Sequence, residues 1–159
     1  MTSGLPARDT SVLATLRTIL IWTFIAGAAG TIVELLLIGH DESAAQFVPL
    51  VLLAAGIVVG LAIVIAPATM SVRALKWLTV LFLASGVLGV GLHYQGNEEF
   101  ELERQPSASG LALVSKTLRG ATPVLAPGSM SLLGAVGLAF VYRHPLLRAD
   151  ADALLSDEA

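Results

Sequence analysis

TILIWTFIAGAAGTIVELLLI, residues 18–38, carries a single formal charge, Glu34. Crossing the hydrocarbon core of a bilayer as a helix takes about 20 consecutive apolar residues, so this one stretch is long enough to span. Three more runs follow at 47–66, 77–92 and 120–142, and none holds a formal charge. The third is the shortest, but Ala74 and Leu75 extend it and Lys76 can snorkel to the interface. The reading is an all-α integral membrane protein, an up-down bundle of four transmembrane helices.

The composition agrees with that solvent. Of 159 residues 55% are hydrophobic and 13% charged, against about 25% charged in a soluble domain. Mean hydropathy is +0.82. Four spans and their connections use the whole length, so residues 1–159 read as one transmembrane domain. A net charge of −3 and no clustered basic face exclude nucleic acid as a partner. The chain has no cysteine, which removes disulfides, thiolate metal sites and cysteine nucleophiles. Residues 26–28 resemble a signal-peptidase site, but the apolar run continues well past the h-region length of about 7–15 residues, and an uncleaved first helix is expected.

Basic residues near span ends set orientation. Arg8, Arg17, Arg73, Lys76, Arg143 and Arg148 fall on one side, and Arg104, Lys116 and Arg119 on the other. Both termini are therefore expected in the cytoplasm, in a plasma (inner) membrane, with an acidic periplasmic loop opposite. Expected helices run over about 14–39, 46–66, 70–93 and 129–143. A long, partly structured outer loop covers 94–128 and a cytoplasmic tail 144–159.

Within that loop, residues 99–103 alternate charged and apolar, as an extended segment would, and Gly96-Asn97 reads as a chain reversal. A short helix is expected after Ser107, with Leu111, Val114 and Leu118 on one face. That face suits either the membrane surface or the end of the bundle. Pro123 and Pro127 break regular helix, so an extended stretch is expected up to Ser129.

Lipid gives helices no hydrophobic reason to pair, and small residues supply the close contacts instead. Gly27, Gly30, Gly56, Gly60, Gly89 and Gly134 are the candidate packing positions, Gly56 and Gly60 forming a GxxxG pair.

Two polar residues stand out. Glu34 lies near the end of the first helix on the face of Gly27, Gly30 and Thr31, so its carboxylate is expected to point into the bundle. His93, at the end of the third helix beyond Ser85 and Gly89, is its natural partner, and His40 ends the first helix at the same level. Together His40, His93, Glu98 and Glu99 offer donors for a divalent cation, though their spacing fits no established metal motif. A histidine at a helix end also has a purely electrostatic role against the helix dipole. No cofactor motif, nucleophile elbow or phosphate loop is evident.

The functional expectation is a non-catalytic structural or accessory subunit, packed among other membrane protein subunits in the lipid bilayer. The alternative is a small transporter or ion-handling protein that uses Glu34 and His93.

Overall fold

The computed structural model describes residues 7–148, which contain no strand. Its principal helices are α1 (Ala7–Leu37), α2 (Ala44–Ile65), α3 (Thr69–Arg104), α4 (Gly110–Leu118) and α5 (Gly128–Val141). Of the expected tail, residues 149–159 lie outside the described residues. Three helices, α1 from Val12 onward, α2 and α3, are long and apolar enough to cross a membrane. The fourth apolar segment, α5, has 14 residues, about 21 Å at 1.5 Å per residue.

Helices α1, α2, α3 and α5 meet pairwise in a ring, α1 on α2, α2 on α3, α3 on α5 and α5 on α1, while α4 touches α3. Phe24, Leu53, Val72, Leu75 and Phe82 fill the centre and are fully buried. The rings of Phe24 and Phe82 lie 5.4 Å apart at a 43° tilt. Gly56 lets α2 come down on both, since a Cβ there would stand 3.0 Å from Phe82 Cζ and 3.1 Å from Phe24 Cζ. Gly60 packs on Ile25, Gly27 on Leu133, Gly89 on Pro127 and Gly134 on the Thr79 carbonyl, whereas Gly30 faces open space. The outward surface is as apolar as the centre: Ile65 is 80% exposed and Val87 68%. Such a surface is stable only where the solvent is itself apolar.

Local signals set the α1–α2 turn. Gly39 takes a left-handed φ of +68°, and its N–H and that of His40 return to the Leu36 and Leu35 carbonyls at 3.2 and 2.8 Å. These are the paired bonds of a Schellman ending. Ser43 then opens α2 with a capping box: Gln46 N donates to Ser43 Oγ, and Gln46 Oε1 accepts from Ser43 N at 2.9 Å. The end of the ring carrying this turn is called the head end below.

The connection between the third and fourth apolar runs differs from expectation in three ways. First, α3 does not end near His93 but continues to Arg104, about 54 Å in all, and residues 99–103 are helical. No proline occurs between Pro67 and Pro106, and a helix already formed adds residues more cheaply than a new extended segment starts. Gln95 also donates to Glu99 one turn on, at 3.1 Å. Second, Gly96-Asn97 makes no reversal. Asn97 is 3% exposed inside α3. Third, residues 123–127 are turns, not extended chain: Ala126 N donates to Pro123 O and Gly128 N to Leu125 O, at 3.2 and 2.9 Å. Pro127 sits in helical geometry at φ −62°, as its ring permits at a helix start. The loop expected over 94–128 thus reduces to two short links around α4. On α4, Leu111 is 87% exposed and Val114 and Leu118 also face outward, while Thr117 is the buried side chain.

Candidate functional site: a cavity at the head end

The ring of helices is not filled to its head end. A cavity of about 490 Å³ opens there, within the size range of small-molecule sites. From α1 it takes Thr31, Glu34 and Leu35, and from the turn His40. The first turns of α2 add Gln46 and Pro49, and α3 adds Ser85, Leu88 and His93. Ala126, Pro127 and Met130, on the turns entering α5, close the remaining side. Phe24 and Phe82 lie below, on the same helices as Thr31 and Ser85, and are fully buried against each other.

Glu34, His40 and His93 therefore line one space. Glu34 is an exposed residue, and among the described residues nothing donates a hydrogen bond to its carboxylate. The rings of His40 and His93 face each other across 6.3 Å. Burial lowers the His40 pKa, a positive charge on His93 lowers it further, and Asp41 opposes both. His93 Nδ1 lies 3.1 Å from the Pro123 carbonyl oxygen. A carbonyl can only accept, so Nδ1 carries the proton in this bond. The imidazole thereby satisfies backbone left irregular by the two prolines.

The four residues considered for a cation do not gather. His40 and His93 line the cavity, but Glu98 and Glu99 sit farther along α3, where Glu99 accepts from Gln95. Among the described residues no three histidine, aspartate or glutamate side chains come together to hold a metal.

Sequence reading missed Gln46, Pro49, Pro127 and Met130 as wall residues. A proline inside an apolar run was the available signal at position 49, because it leaves a helix carbonyl without its usual donor.

A second feature lies beyond the cavity. The buried Asn97 amide reaches off α3 to donate to the Thr117 and Thr122 carbonyls at 3.0 and 2.7 Å, and it accepts from Thr122 N at 3.2 Å. Gly120 packs directly on it, leaving no room for a Cβ. These bonds latch α4 and the link to α5 onto the upper third of α3. Farther out, Lys116 bonds Gln105 beside Glu101 and Arg104, in a polar groove.

At the opposite end of the ring, Arg17 donates to the Arg143 carbonyl at 3.3 Å, and Arg143 holds a left-handed φ of 47°. His144 follows, its pKa lowered by burial and then by the Arg17 charge.

The chain matches no protein-family model, and comparison with curated proteins and with solved structures finds no match.

Proposed function

We propose that the protein is a non-catalytic accessory subunit of a larger membrane assembly, crossing the bilayer four times with both termini cytoplasmic. The observation that carries this reading is the Asn97 latch. It turns the charged end of α3, α4 and their link into one ordered head outside the apolar layer. From His93 to Arg104 that head extends about 16 Å along the helix axis. A head held by buried hydrogen bonds keeps its shape without a partner and presents a fixed surface to one. The outward Leu111, Val114 and Leu118 on α4 fit contact with the bilayer surface or with a neighbouring subunit. On this reading α5 crosses as the fourth span, with the turns at 123–127 completing its path in the shelter of α3.

Gentle detergent extraction followed by native electrophoresis tests the proposal. Migration within a larger complex, lost when Asn97 is replaced by Leu, is the expected result. Recovery solely as a free chain of 16.5 kDa overturns it.

The convergence of Glu34, His40 and His93 on one cavity favours ion handling as a second reading. Against it, the fully buried Phe24–Phe82 pair lies between the cavity and the other end of these helices. Unchanged cation flux in vesicles carrying Glu34→Gln removes this alternative.

A further inference from the structure

The polar groups of the cavity are strongly biased towards accepting hydrogen bonds. Thr31 Oγ1 has already given its proton to the Gly27 carbonyl and Ser129 Oγ to that of Ala126, both at 2.9 Å. His93 has spent its Nδ1 proton on Pro123, so a neutral ring leaves Nε2 as an acceptor. Pro49 has no N–H to return to the Ala45 carbonyl, one turn back in the same wall. The Glu34 carboxylate accepts only, and no donor among the described residues meets it. What remains to donate is the Gln46 amide, the Ser85 hydroxyl, one nitrogen of His40 and the Ala45 N–H in the first turn of α2.

Charge points the same way. His40 is held towards its neutral form by burial, and Asp41 and Glu42 follow it in the turn. The N-terminus of α5 also faces this space, but its first amides are already bonded, Gly128 N to Leu125 O at 2.9 Å and Met130 N to Pro127 O at 3.0 Å. An anion would find no free backbone donor there. The remaining wall is apolar, formed by Leu35, Val48, Leu88, Leu92 and Met130.

We infer that this cavity binds a small apolar amine in its ammonium form, with Glu34 as counter-ion and the apolar wall holding the hydrocarbon body. An ammonium supplies donors to the unpaired acceptors and a counter-charge to Glu34. The small-molecule volume favours a compact amine over a two-tailed lipid.

The test uses the full chain in phosphatidylcholine nanodiscs, with protein-free discs subtracted. The probe is 2-(1-naphthyl)ethylamine, compared with 2-(1-naphthyl)ethanol, which keeps the body and loses the charge. Equilibrium dialysis is expected to give saturable binding of one amine per chain, at least about tenfold tighter than the alcohol, the usual scale for one charged hydrogen bond. Glu34→Gln should bring the amine to the level of the alcohol. Leu88→Trp, which intrudes on the wall and leaves the carboxylate in place, should weaken both. Equal affinity for amine and alcohol in the unaltered chain overturns the inference without reliance on any variant's folding. So does an amine preference that survives Glu34→Gln, or amine binding abolished in discs containing phosphatidylethanolamine, which would assign the site to a lipid headgroup.

Discussion

His40, in the turn after α1, and His93, on α3, present their rings to each other at 6.3 Å and a 60° tilt. Two imidazoles this close cannot both become charged without mutual repulsion, and burial adds to the cost at His40.

A pH dependence follows, and its sign is fixed. The folded protein holds His40 below the ordinary value of about 6.5, so between the two values the unfolded chain binds more protons. Stability must then fall as pH drops below about 6.5, and level off once pH has passed the folded value. His144, also lowered by burial and Arg17, adds in the same direction. The chain has three histidines, few enough to follow each ring by NMR titration. In His93→Gln the His40 midpoint should move up, because one of the two lowering causes is gone. A midpoint that stays put counts against the pairing.

Gly56 and Gly30 should respond in opposite ways to the same change. A Cβ at Gly56 presses on two fully buried rings, whereas one at Gly30 meets nothing within 4 Å. Gly56→Val is expected to destabilise by about 1–3 kcal/mol through overpacking. Gly30→Ala should be neutral or stabilising, by up to about 1 kcal/mol from helix propensity. Denaturation in mixed micelles measures both.

Asn97→Leu should release the head and leave the ring of long helices intact. Removing the amide leaves the Thr122 carbonyl and N–H without a partner, while Thr117 O keeps Gly120 N, a loss of about 1–3 kcal/mol. Limited proteolysis should then cut within residues 105–122 at a faster rate, while α1 and α2 stay protected. Protection equal to the unaltered chain would mean that the latch does not hold α4.

Orientation can be read directly, because the chain lacks cysteine. Ser107→Cys, before α4, and Ala68→Cys, between α2 and α3, are both at exposed positions. A membrane-impermeant maleimide should label the first in intact cells and the second only after lysis. Labelling of both from one side would contradict the proposed crossing pattern.

The long apolar helices were legible because length and lack of charge are properties of contiguous residues. That Glu34, His40 and His93 come to one end of the helices has a related reason: antiparallel connections of a few residues bring helix ends to one level. The continuation of α3 was not. Alternation over 99–103 is compatible with strand or helix, and the choice falls to Asn97, whose partners Thr117 and Thr122 are more than a dozen residues away. Gly96-Asn97 has the composition of a turn and the role of a helix interior. The turns at 123–127 were missed because proline excludes regular helix without saying what replaces it, and here the carbonyl it freed finds a histidine on another helix.

An uninterrupted α3 also has a mechanical meaning. Pro67 and Pro106 bracket it, and between them the backbone is one continuous helix without proline. A rod cannot be tilted at one tip alone. Any force that leans the Asn97 assembly sideways must swing the Thr69 tip the opposite way, so that α3 acts as a lever whose fulcrum is the aromatic pair at Phe82.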